Sequence, residues 1–92
     1  MEGLVPLSSL KPGEVAVVAG LDPDGADRGR LLDLGFTPGS EVECLFSSPM
    51  GDPIAYRVRG AVVALRRRQS DRVWITAPAG AGRLAKGGRG DG

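Results

Sequence analysis

Gly29-Arg-Leu-Leu-Asp-Leu-Gly-Phe-Thr-Pro-Gly-Ser-Glu-Val42 holds a helix end, a reversed turn and a strand start in fourteen residues. Leu31 and Leu34 are three apart, so they share one face of a helix, and that face must be buried. Gly35 follows directly and can take the left-handed conformation that lets the last helical carbonyls find partners. Phe36 is then placed to fold back on the helix, against Leu31. Thr37-Pro38-Gly39-Ser40 has proline and glycine at the central positions of a type II turn. From Ser40 the apolar period becomes two. The stretch predicts a helix turned tightly onto a sheet.

Upstream, Leu4, Leu7 and Leu10 recur at helical spacing around Pro6 and Ser8-Ser9, which fits a short helical turn or an extended lead-in. Lys11-Pro12-Gly13-Glu14 repeats the Pro38-Gly39 turn, and a strand follows in which Val15 and Val17 face one side and Ala16 and Val18 the other. Asp22-Pro23-Asp24-Gly25 reads as a turn, with Asp24 or Asp27 capping the helix. Asp22, Asp24 and Asp27 lack the terminal bidentate Glu of a calcium loop, so they are assigned to turn and cap chemistry.

Downstream, Val42, Cys44 and Phe46 alternate with Glu41 and Glu43, the pattern of a half-buried strand. Cys44 is read as a small buried hydrophobe rather than a reactive thiol. Ser47–Asp52 is a loop, and Ile54, Tyr56 and Val58 alternate with Ala55, Arg57 and Arg59 in the returning strand. Arg59-Gly60 reverses the chain into Ala61–Leu65, an apolar run that fits a well-covered strand. Arg66–Asp71 breaks it, and Arg72–Thr76 supplies the last strand, with Trp74 facing away from Val73 and Ile75. The count is five short strands and one two-turn helix. A five-stranded barrel with the helix plugging an open end is the economical fold, because closure removes exposed sheet edges.

The 92 residues make one domain, read as residues 1–77, followed by a glycine-rich basic tail. Six of the fifteen residues from Pro78 to Gly92 are glycine, and three cations stand against Asp91, so the tail is expected to be disordered. Up to residue 77 there are nine Lys/Arg and ten Asp/Glu, which leaves no global field to draw nucleic acid or an anionic membrane. One cysteine and no histidine exclude an internal disulfide and any zinc or haem site built on His or Cys clusters within one chain. The opening MEGLVPLSSL lacks the basic and long apolar regions of a signal peptide, and no run approaches the ~20 apolar residues of a membrane span. The expectation is a cytoplasmic protein.

No phosphate-cradling loop and no histidine-activated nucleophile are present, so no catalytic residues, metal ligands or cofactor are assigned. What stands out is surface chemistry. Arg66, Arg67 and Arg68 form a cationic run, and Leu32, Met50, Tyr56 and Trp74 are apolar residues that periodicity does not place fully inside. The arginines fit a solvated edge paired in part with Asp71 and the Glu41/Glu43 face, a patch for an acidic partner, or an arginine supplied in trans to a nucleotide site. The apolar residues fit covers for the barrel ends and helix, or, exposed together with an arginine rim, the composition of a protein interface. Partner-binding candidates are therefore Leu32, Met50, Tyr56, Trp74, Arg67 and Arg68. Pro12, Gly13, Gly35, Phe36, Pro38 and Gly39 are assigned to turns and the cap.

Three blocks of the chain resemble the FeoA family of small bacterial proteins. They are Leu7, Leu10, Gly13 and Glu14; then Arg30, Leu31, Leu34, Gly35, Phe36, Pro38 and Gly39; then Gly51, Asp52, Pro53, Gly60, Ala64, Leu65 and Arg66. The resemblance covers about residues 7–77 and implies an SH3-like β-barrel with an inserted helix. It implies an accessory protein of ferrous iron uptake whose partner is FeoB, a membrane transporter with a cytoplasmic GTP-binding domain. The same barrel forms the C-terminal domain of iron-dependent repressors, so fold alone leaves two alternatives. One is a regulatory module of that kind, and the other is a stand-alone barrel binding nucleic acid. The near-neutral body and few aromatics speak against nucleic acid.

Overall fold

Leu31, Phe36, Val42, Tyr56, Val73 and Ile75, the apolar residues at helix and strand spacing, converge in one buried cluster. A computed structural model describes residues 3–76. The expectations for the tail from Pro78 lie outside these residues.

The strands are β1 (Leu4–Pro6), β2 (Val15–Leu21), β3 (Glu41–Ser47), β4 (Ile54–Val58), β5 (Ala61–Leu65) and β6 (Val73–Thr76). Helix α1 (Arg28–Leu34) lies between β2 and β3, and a single turn, α2 (Arg67–Ser70), joins β5 to β6. All pairings are antiparallel, in the order β1-β6-β2-β3-β4-β5. The fold is mainly β with one two-turn helix, as the sequence indicated, but it has six strands where the periodicity gave five. The sixth is Leu4–Pro6, which pairs with β6 before Leu7–Ser9 turns as a 3-10 helix. Both readings of the lead-in are thus partly right.

The end of α1 follows the glycine argument. Gly35 has φ +116°, its N–H donates to Leu32 O at 3.0 Å, and the Phe36 N–H reaches back to Leu31 O at 3.1 Å. This paired arrangement satisfies two of the carbonyls that a helix end leaves open. It also carries Phe36 into the core, where Phe36 is fully buried and Leu31 nearly so.

Two Pro-Gly turns flank the β2–β3 pair. Glu14 N–H donates to Lys11 O at 2.9 Å with Gly13 at φ +90°, and Ser40 N–H donates to Thr37 O at 3.0 Å with Gly39 at φ +93°. Each is type II, as the sequence predicts. Gly13 N–H also donates to Cys44 O, and Gly39 N–H to Val18 O, each at 2.8 Å.

Two strand readings are corrected. A register shift between Cys44 and Phe46 marks a β-bulge at Leu45, so Phe46 leaves the inward face of Val42 and Cys44 and is 61% exposed. Ala61–Leu65 is not well covered. It is the end strand of the sheet, and Ala61, Val62 and Ala64 are exposed while only Leu65 is buried.

Candidate partner-binding surface

The Arg66–Asp71 run is a folded turn held at several points. Gln69 Oε1 accepts from the Arg66 N–H at 2.9 Å, and Asp52 Oδ1 accepts from the Arg67 N–H at 2.8 Å. A carboxylate at the first helical amide is a good cap, both as an acceptor and as a negative charge. Ser70 is fully buried and its hydroxyl donates to Arg67 O, while the Ser8 hydroxyl donates to the Asp71 carboxylate. These bonds leave Arg66, Arg67 and Arg68 exposed on a fixed backbone.

A cleft of about 150 Å³ separates α2 from the segment leading into α1, with Leu21 and Leu31 as apolar wall and Arg28, Arg68 and Arg72 around it. Its carboxylates already have partners. Asp22 pairs with Arg72 at 2.7 Å and accepts from the Asp24 N–H at 3.1 Å. The Arg72 hydrogen bond, helped by that amide, holds the Asp22 carboxyl below its ordinary range. Asp27 precedes α1, but its side chain makes no cap bond; its Oδ2 accepts from Gln69 Nε2 at 3.2 Å. The capping role expected of Asp24 or Asp27 is therefore replaced by turn chemistry at Asp22 and a tether at Asp27. Among the described residues, neither Arg28 nor Arg68 has a carboxylate within ion-pair distance.

Trp74 is half-buried on the outer side of β6 and shares a second cleft with Leu4, Gly20, Leu21 and Pro23. Leu21 and Asp22 line this cleft and the arginine-lined one, so Trp74 and Arg68 stand on neighbouring hollows. Leu32 is half-buried on α1, and Met50, at 90% exposure, stands on the β3–β4 loop. Tyr56 is corrected. It is fully buried, with its hydroxyl 3.5 Å from Leu7 O, and cannot be a surface anchor. Burial pushes its phenol up to about 12.

Phe46 and Val62, 61% and 59% exposed, were not among the sequence candidates. Nothing in the alternation of Glu41–Phe46 announces the bulge, and the uncharged run of β5 has no polar period to tell an open strand from a covered one. Among the described residues no group of three or more His, Cys, Asp or Glu is arranged to hold a metal ion. Cys44 is buried and desolvation pushes its thiol up, which makes it a poor nucleophile. No helix of the described residues is long and apolar enough to cross a membrane.

Comparison with known proteins agrees with the fold. The family model described as the FeoA domain matches residues 5–77. The chain belongs to the FeoA family. A FeoA-like protein from Clostridium acetobutylicum is 28% identical, with a TM-score of 0.77 over 84% of this chain and 90% of that one. The zinc-complexed FeoA of Stenotrophomonas maltophilia, described as an SH3 domain protein, is 32% identical, with a TM-score of 0.68 over 77% and 88%. The FeoA/FeoB fusion protein of Porphyromonas gingivalis is 33% identical over 69 residues, 75% of this chain, and the chain spans only 8% of that relative's length. A manganese-dependent transcriptional repressor at 18% identity, TM-score 0.73, shares the architecture. The SH3-like FeoA barrel is thus the fold of this chain, as the sequence resemblance implied.

Proposed function

We propose that this FeoA-family protein is a cytoplasmic, non-catalytic accessory protein of ferrous iron uptake that binds the transporter FeoB. The observation that carries this reading is the Porphyromonas gingivalis relative, in which a domain 33% identical to this chain is joined to FeoB in one polypeptide. Covalent joining holds two modules at high effective concentration, an arrangement that suits modules acting together. The exposed arginines of α2 beside the Trp74 hollow supply the rim and anchor of such an interface. The near balance of charge up to residue 77 gives no net field to draw nucleic acid.

The test is surface-based kinetics against the soluble cytoplasmic domain of FeoB at two salt concentrations. Trp74→Ala or Leu32→Ala should weaken binding by about 2 kcal/mol, mainly through faster dissociation. Arg67→Ala with Arg68→Ala should slow association and flatten its salt dependence. Circular dichroism must first confirm that each variant is folded. A parent chain that binds neither this domain nor the intact transporter would overturn the proposal.

A further inference from the structure

Among the described residues the sheet order ends at β5, so the closure expected to remove exposed edges leaves this one unpaired, and nothing in β5 discourages a further strand. Natural edge strands are blunted by charge, proline, bulges or brevity. The other edge, β1, has three residues and ends in Pro6. β5 is Ala-Val-Val-Ala-Leu, and its register with β4 runs unbroken from Val58↔Ala61 to Ile54↔Leu65. The connecting turn has Arg59 at φ +52° and Gly60 at φ +80°, the two positive values of a type I′ hairpin. Such a two-residue hairpin closes on a hydrogen-bonded pair, so Ala61, Val63 and Leu65 bond to β4. Val62 and Ala64 therefore direct their N–H and C=O groups away from it.

Charge decides what pairs there. Arg59 stands at one end of this neutral strand, with Arg66 and Arg67 at the other, all exposed. The nearby carboxylate, Asp52, accepts from the Arg67 N–H. A second copy paired antiparallel about Val63 would match Val62 with Ala64, but it would set Arg59 of each copy opposite Arg67 of the other. The chain's own residues 78–92 carry three cations against one anion, the wrong sign. We propose that β5 takes up an extended segment of a protein partner, a short β-branched stretch with carboxylates at both ends, as an added strand. The inference rests on the reading of this chain as an accessory protein that associates with a partner. Main-chain bonds at Val62 and Ala64 would supply affinity, and the arginine-bracketed ends would supply selectivity.

The test is amide hydrogen exchange by NMR on the full chain with the synthetic peptide Asp-Glu-Val-Thr-Val-Glu-Asp at millimolar concentration. Exchange at Val62 and Ala64 should slow by about fivefold or more, since protection follows bonding of those amides. A peptide with the same centre and lysine ends should give no slowing. Ala64→Pro removes an N–H that β4 does not use, so it should keep the native circular dichroism and lose the protection. The proposal is overturned if the acidic peptide leaves both amides unchanged, or if the lysine-ended peptide protects equally. Protection that rises with protein concentration alone would make a second copy the occupant and would also overturn it. Because the peptide assay contains no transporter, a failure here is distinct from failure to bind FeoB.

Discussion

Gly35 lies directly against the side chain of Arg59: a Cβ on Gly35 would come within 3.2 Å of Arg59 Cδ and 3.3 Å of Cγ. The end of α1 and the β4–β5 hairpin therefore share one point, where Arg59 also reaches Thr37 Oγ1 at 3.4 Å. Gly35→Ala should cost about 1 kcal/mol or more, because alanine resists φ +116°. Most of that loss should persist in an Arg59→Ala background, since the flexible arginine can move aside and the backbone conformation cannot. Thermal melts of the four proteins in this cycle measure both parts. A full rescue by Arg59→Ala would make the contact, rather than the conformation, decisive.

Tyr56, the chain's single tyrosine, gives a clean optical titration. Its folded pKa, raised to about 12 from an ordinary value near 10, favours the neutral phenol in the native state. The stability this contributes is present below pH ~10 and is lost as pH rises through about 12. Phenolate absorbance should stay absent at pH ~10.5 while the fold is intact, then appear together with alkaline unfolding. Titration of the folded protein near pH ~10 would contradict the burial argument.

Asp22 shifts the other way. Its carboxyl is held low by Arg72, so its contribution is present above the unfolded carboxylate pKa and is lost as pH falls through the lower folded value. Arg72→Ala should move the carboxyl resonance titration of Asp22 upward. Added salt should move it the same way, because the pair is exposed.

Asp52 should behave as a helix cap although it lies fifteen residues before the amide it serves. Asp52→Ala should cost about 1 kcal/mol and speed amide exchange at Arg67. An unchanged melt and unchanged exchange at Arg67 would show that the rest of the tether holds α2 alone.

The two phenylalanines should respond oppositely to truncation. Phe36→Ala removes a fully buried ring and should cost about 3–5 kcal/mol. Phe46, exposed beyond the bulge, should cost less than about 1 kcal/mol when changed to Ala. Chemical denaturation separates them.

That contrast marks where sequence reading works in this molecule. The cap at Gly35, both Pro-Gly turns and the Arg59-Gly60 reversal are local chemistry, and each appears as the residues dictate. Inward faces that alternate with charge, such as Val42 and Cys44 against Glu41 and Glu43, are equally legible. The bulge at Leu45 is a property of the β3–β4 pairing rather than of either strand alone. Whether Ala61–Leu65 is covered depends on what lies beside it, and Tyr56 is inside because Ile54, Tyr56 and Val58 form the inward row of β4. Among the candidate site residues, the exposed arginines of α2 were readable as a charged run. Their fixation by Gln69 is local, three residues from Arg66, but Asp52 is a partner that sequence distance conceals.

The two glycines that bond across β2 and β3 act as rivets at opposite ends of one ribbon, Gly13 to Cys44 and Gly39 to Val18. A slip of either strand by one residue would have to break both, so this register is locked from outside the strands themselves. Everything between Leu21 and Gly39, including α1 and one wall of the arginine-lined cleft, then hangs from a frame that does not depend on its length. The turn at Pro23-Asp24-Gly25 is accordingly the place where this barrel can lengthen or exchange one wall of that cleft while its core stays in step.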